Sequence, residues 1–170
     1  MIIRNGGHDD VPAVLQMFDS AVAWLTAQGR TGQWGSEPFS ASPARVEQAT
    51  SWAGAGGMRI AEIDGEPAGC LVVGDAMKYV SPASEPELYV QVLVIDQRFH
   101  GRGVGSVLLE RAVAEAVELG VSLVRVDCYA GDDGRLVKYY ESQGFTRAET
   151  FMVGEWPGQV LQMRLPAGGV

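Results

Sequence analysis

Apolar residues recur along this chain with two spacings, one helical and one alternating, and the changes of spacing fall at glycine, proline or aspartate. Met1 to Asn5 reads as a short strand. From Val11 to about Gln28, Val14, Leu15, Phe18, Ala21, Val22 and Leu25 lie on one helical face. Asp9 or Asp10 is placed to cap that helix, and Gly29 to end it. Arg30 to Ser40 reads as a loop holding Trp34 and Phe39. Ser42-Pro43 opens a second helix that runs to about Ala53. Met58 to Ile63 and Pro67 to Val73 flank Asp64-Gly65, a hairpin signal. Met77 to Pro86 is polar and contains proline, hence a loop.

The next stretch, Glu87 to Leu108, organises the chain. Val90, Val92, Leu93, Val94 and Ile95 form a strand. Gly101, Gly103 and Gly105 follow, and Ser106 to Leu119 then repeats apolar residues at helical spacing. The glycines therefore sit where a strand hands over to a helix N-terminus. Amides there lack helical acceptors, and the helix dipole adds positive potential, so the place suits phosphate groups. Val121 to Cys128 reads as a buried strand, and Asp132 or Asp133 is placed to cap a helix reaching about Gln143. Phe145 to Val153 and Gln159 to Leu165 are expected as two last strands around a Trp156-Pro157-Gly158 turn. The order β-α-α-β-β-β-α-β-α-β-β predicts an α/β fold (an α+β mixed sheet) in a single domain over residues 1–170, splayed at the central β-α crossover.

Three phosphate-binding patterns compete for the glycine stretch. A Walker A loop needs Lys after its glycines, and none follows here. A Rossmann fingerprint needs GxGxxG, and after Gly101-x-Gly103 the third glycine comes one residue early. The Rossmann reading, a nucleotide-binding oxidoreductase, keeps one point: Asp127 ends a strand where a ribose-binding acid would stand. The third pattern is [QR]xxGx[GA] after a strand. His100-Gly101-Arg102-Gly103-Val104-Gly105 resembles it, with His100 at the Gln or Arg position. That is the signature of the GCN5-related N-acetyltransferases. A second stretch, Asp133-Gly134-Arg135-Leu136-Val137-Lys138-Tyr139-Tyr140-Glu141-Ser142-Gln143-Gly144-Phe145, is similar to another motif of that family, with Asp133 replacing Asn. The element order also resembles the family's, so the likeness covers nearly the whole chain.

The resemblance implies acetyl-coenzyme A as co-substrate and transfer to a primary amine by direct attack, with no acyl-enzyme. It implies that backbone groups of Leu93, Val94 and Ile95 meet the pantetheine arm. It further implies that the turn from His100 through Gly101, Arg102, Gly103, Val104 and Gly105 to Ser106 holds the pyrophosphate, that Arg135 meets the outer phosphates, and that Asp133 and Tyr139 also border the cofactor. Tyr140 falls at the position of the family's tyrosine, whose phenol can protonate or stabilise the leaving thiolate. The base is less defined. Related enzymes place a carboxylate on the fourth strand, at a position that Tyr89 occupies here. Glu87 and Gln91 are expected on the same face by strand alternation. Glu87 is the first candidate base, and Asp127 the second. Trp34, in a glycine-flanked loop, is expected to line the acceptor site with Tyr89, Gln91 and Asp127, whereas Trp24 is expected to pack within its helix.

Composition narrows the partners. The 170 residues carry 46% hydrophobic and 20% charged side chains, ordinary for a globular protein. A net charge of −8 argues against a nucleic-acid surface and suits a cationic substrate. No signal peptide or membrane span is read, so a cytoplasmic location is expected. Cys70 and Cys128 read as buried free thiols, and His8 and His100 have no partner ligands, so no metal is expected. The acceptor is expected to be a small-molecule amine, and homodimer formation is left open. The altered positions His100, Asp133 and Tyr89 motivate one alternative of another class, a non-catalytic acyl-CoA sensor.

Overall fold

Each helix and strand expected from periodicity forms in the computed structural model, which describes residues 1–166. The strands are β1 (Ile2–Asn5), β2 (Met58–Ile63), β3 (Glu66–Gly74), β4 (Leu88–Ile95), β5 (Leu123–Tyr129), β6 (Thr146–Val153) and β7 (Trp156–Arg164). The helices are α1 (Val11–Ala27), α2 (Pro43–Gly54), α3 (Val104–Leu119) and α4 (Arg135–Ser142). The strands form one seven-stranded sheet in the order β1-β2-β3-β4-β5-β7-β6. It is mixed: β1-β2, β2-β3, β5-β7 and β6-β7 are antiparallel, and β4-β5 is parallel. The antiparallel pairs on either side of β4-β5 remove the Rossmann reading, which needs a mostly parallel sheet built from repeated βαβ units.

The chain divides into two compact units. The first holds Met1–Val72 and Val92–Leu108. Its core joins Val14, Met17, Phe18 and Val22 of α1 to Met58 and Ile60 of β2, Cys70 and Val72 of β3, and Val92 and Val94 of β4. Ser42 caps α2 as expected, accepting the Arg45 N–H at 3.4 Å, with Pro43 in the first turn. The aspartate before α1 acts differently. Asp10 does not cap it; its carboxylate accepts from Gly7 N–H at 2.9 Å and pairs with Arg4 at 2.7 Å. Gly69 lets the start of α3 lie close to β3. A Cβ there would stand 2.7 Å from Val104 Cγ1 and 3.1 Å from Leu108 Cδ1.

The second unit holds Val73–Gln91 and the described residues from Leu109 onward. β5 pairs with β7 from Leu123↔Arg164 to Tyr129↔Gly158, and β4 with β5 from Leu88↔Val124 to Val90↔Val126. Two expectations are corrected here. The β6-β7 turn lies at Gly154-Glu155, with Gly154 at φ +61°, and Trp156, Pro157 and Gly158 already belong to β7. Gly158 is needed within the strand because the Phe151 ring of β6 occupies the space a Cβ would fill. The second correction concerns α4. Asp132 and Asp133 do not cap it; both take left-handed backbone, φ 54° and 60°, and Gly134 at φ 72° is the N-cap. Aspartate tolerates that region better than most residues, so this run can turn sharply into a short helix.

Candidate active site

The glycine turn is anchored before it reaches α3. Asp96, 2% exposed, accepts the Arg98 N–H at 3.0 Å and pairs with its guanidinium at 3.2 Å. The Asp96 N–H reaches Ala68 C=O at 2.9 Å, and the Gln97 N–H reaches Ser20 Oγ at 3.1 Å. Gly101 and Gly103 then take φ +78° and +75°, a conformation side chains resist. The bond from Val107 N–H to Gly103 C=O, 3.2 Å, is the start of the helical ladder. The amides of Gly103, Val104, Gly105 and Ser106 come before it, at the positive end of a helix of 16 residues. His100 and Arg102 are exposed on this turn. Leu93 and Ile95 are half-buried and Val94 is buried along the strand that leads into it.

The two tryptophans pack differently from what their sequence settings suggest. Trp34 packs into the first unit's core, its ring 5.3 Å from Phe18 and 5.7 Å from Phe39. Its carbonyl accepts from the Arg45 guanidinium at 3.2 Å. Trp24 instead stands beside the turn, 5.7 Å from the His100 ring.

The second unit gathers the titratable candidates. Glu87, the first candidate base, is the acceptor of a bidentate pair: Arg125 Nε and Nη2 donate to its two oxygens at 2.7 and 2.8 Å. Arg125 is 5% exposed, and its third group donates to Ser81 C=O at 3.0 Å. Its guanidinium also lies 5.4 Å from the Tyr89 ring. Both Glu87 oxygens are therefore engaged in this pair rather than free to meet a substrate. Gln91 donates to Asp75 C=O at 2.8 Å.

Asp127 is placed differently. Tyr89 donates a short hydrogen bond to its Oδ2, and Tyr79 donates to Oδ1 at 3.4 Å. Two phenols fix its orientation, and an ionised carboxylate still has acceptor sites left. Burial raises its pKa above the usual carboxylate range, outweighing the opposing effects of Tyr89, Tyr79 and Arg125. A carboxylate that is oriented, partly buried and raised in pKa has the properties of a general base. Burial first, then the Asp127 charge, push the Tyr79 and Tyr89 phenols upward, so both stay protonated donors.

Tyr140 is 6% exposed on α4 and packs edge-on against Tyr139 at 5.4 Å and Phe145 at 5.8 Å. Burial raises its pKa well above 10, so it is a phenol at neutral pH. A thiol is ordinarily more acidic than a phenol. Tyr140 would therefore stabilise a leaving thiolate chiefly by donating a hydrogen bond. If it does so, Tyr140→Phe lowers kcat by roughly 10²-fold with coenzyme A affinity little changed. Wild-type kcat under conditions where chemistry limits the rate would make the phenol structural. Asp133, Arg135 and Lys138 are exposed, and Tyr139 is half-buried. Burial raises the Cys128 and Cys70 thiols to about 12, so neither is a ready nucleophile. Among the described residues, no three His, Cys, Asp or Glu side chains are placed to hold a metal. No helix among them is long and apolar enough to cross a membrane.

Two residues of this arrangement were missed in the sequence. Arg125, a charge within the apolar run Val124-Arg125-Val126, required a buried partner, and that signal was available. Tyr79 lies in a polar loop, and nothing local shows that the loop returns to Asp127.

Solved structures share this arrangement of helices and strands. A GNAT-family acetyltransferase from Listeria monocytogenes superposes with a TM-score of 0.73 at 20% identity, over 96% of this chain and 94% of its own. The protein yncA of Salmonella typhimurium, solved with its cofactor acetyl-CoA, gives 0.68 at 18% identity, over 100% and 96%. At such identities the likeness is one of fold. The acetyltransferase (GNAT) family model matches residues 20–145, and the chain belongs to that family. It is 34% identical over 113 residues to a mycothiol acetyltransferase of Propionibacterium freudenreichii subsp. shermanii. The match covers 66% of this chain but only 35% of that relative.

Proposed function

We propose that the protein acts as one acetyltransferase domain that moves an acetyl group from acetyl-CoA to a primary amine of a small molecule. The observation that carries this reading is the anchored turn Gly101–Ser106, whose amides open α3 in a member of the acetyltransferase family. Those amides suit a pyrophosphate. Backbone groups of Leu93, Val94 and Ile95 suit the pantetheine arm, which can run along a strand as an added strand does. His100, Arg102, Asp133, Arg135 and Tyr139 keep the cofactor roles that the resemblance gives them. The relative's name, mycothiol acetyltransferase, supports a small molecule as acceptor.

In the reaction, Asp127 takes a proton from the ammonium, directly or through water, and leaves the neutral amine. The amine nitrogen attacks the thioester carbonyl carbon. The tetrahedral species collapses with cleavage of the C–S bond, and the electron pair leaves on sulfur, where Tyr140 donates its hydrogen bond; the second proton on nitrogen passes through water to the thiolate, giving neutral amide and free thiol. Glu87 and Arg125 act one step away, since their pair flanks Tyr89 and so helps to orient Asp127.

Coenzyme A is expected to raise the melting temperature of the wild type. Gly103→Glu adds a carboxylate and a side chain at a φ of +75°, and is expected to abolish that rise. Calorimetric titration of the folded variant checks it. Unchanged coenzyme A affinity would remove the turn from the cofactor site.

A further inference from the structure

Beside Asp127 runs a row of four aromatic rings. Tyr79 lies 5.0 Å from Phe151, Phe151 lies 6.1 Å from Trp156, and Trp156 lies 5.4 Å from Tyr129. Strand register explains the row. Asp127 and Tyr129 are two apart on β5 and share a face. Tyr129 stands opposite Gly158, Gly158 stands opposite Phe151, and Trp156 is two residues before Gly158. Gly158 leaves room for the Phe151 ring, and Gly131 leaves room for the Tyr129 ring. Tyr79 is 42% exposed, and Phe151, Trp156, Tyr129 and Asp127 keep partial exposure, so the row meets solvent.

Charge selects further. Among the described residues of this unit Arg125 is the buried cation, and it is already engaged by Glu87 and the Ser81 carbonyl; Lys78, on the same loop as Tyr79, is exposed. A carboxylate on the ligand would face Asp127 and find no buried cation to pair with. A bare ammonium, by contrast, meets an oriented carboxylate and aromatic faces.

Building on the transfer reaction proposed above, we infer that the acceptor site takes a primary ammonium on an aromatic body without a neighbouring carboxylate, an arylalkylamine. Its ammonium is held at Asp127, and its ring lies along Phe151 and Trp156. Amino acids and polyhydroxylated amines are poor acceptors, the first for their carboxylate and the second because the row offers them few hydrogen-bond partners.

The test pairs turnover with binding. Thiol release from acetyl-CoA is followed with 2-phenylethylamine, n-butylamine, L-phenylalanine and glucosamine. The kcat/KM for 2-phenylethylamine is expected to exceed that of every other amine by at least tenfold. Trp156→Leu and Phe151→Leu, made separately and checked by thermal melting, are each expected to shrink the preference over n-butylamine roughly tenfold, mainly through KM. Binding of 2-phenylethylammonium to the coenzyme A complex, measured by calorimetry, is expected to weaken in the same variants. A preference for L-phenylalanine or glucosamine, or one that survives both substitutions, overturns the inference and leaves the transfer reading intact. Calorimetric binding that depends on Trp156, without turnover of any amine, supports the arylalkylamine site and overturns transfer instead. Absence of both binding and turnover with 2-phenylethylamine overturns the site.

Discussion

Asp127→Asn is expected to lower kcat/KM for amine acetylation by roughly 10²- to 10⁴-fold near neutral pH, the range for loss of a general base. The substitution keeps size and one acceptor oxygen, the one that can still accept from Tyr89, while removing the charge and the basic oxygen. The pH profile carries the sign. In the wild type, kcat/KM is expected to rise as Asp127 loses its proton, a step that burial moves upward from the usual carboxylate value. It rises again as the amine itself deprotonates. The variant is expected to lose the lower rise and keep the upper one. Stability moves the other way. A carboxylate whose folded pKa is raised favours the native state when protonated, and that contribution is lost as pH rises through its folded pKa. Asp127→Asn is therefore expected to melt higher than wild type near neutral pH, with the advantage fading in acid. A variant that is slower and also less stable at neutral pH would mean that Asp127 serves the fold.

Glu87→Ala is expected to reverse that pattern. It leaves the Arg125 guanidinium buried and without its bidentate partner, a change that costs about 3 kcal/mol or more. In a chain of this size that corresponds to a fall in melting temperature of roughly 10 °C. The double variant Glu87→Ala/Arg125→Leu removes the orphaned charge and is expected to recover much of the loss. Thermal melts of the three variants and wild type check the cycle. The pH dependence of kcat/KM in Glu87→Ala, measured well below its melting temperature, is expected to retain both rises. Loss of the lower rise there, with Asp127→Asn unaffected, would restore Glu87 as the base.

The contrast between these two acids shows what the sequence made legible. The elements were readable because each rests on local signals: Ser42-Pro43 opens α2, Asp64-Gly65 turns the hairpin, and Gly101 and Gly103 break before α3. The candidate site was readable only where it follows the backbone. The glycine turn is one contiguous segment, so spacing alone places it before α3. The candidate base turns on which carboxylate is paired, and pairing depends on residues far along the chain. Arg125 is 38 residues from Glu87, and Tyr79 is 48 from Asp127. The same applies to Trp34, whose glycine-rich surroundings resemble an exposed loop although Phe18 and Phe39 draw its ring into the core. The turn before α4 misled for another reason. Two aspartates ahead of a helix normally signal a cap, and here they carry left-handed backbone instead.

Acetyl transfer itself is tested most directly by thiol release from acetyl-CoA with and without amine, with the acetylated product identified by mass. The account predicts release that requires an amine, matches the amount of N-acetyl product, and disappears in Gly103→Glu. Binding of acetyl-CoA that raises the melting temperature, with no amine in a broad panel acetylated, would contradict it and make the protein a non-catalytic acyl-CoA sensor.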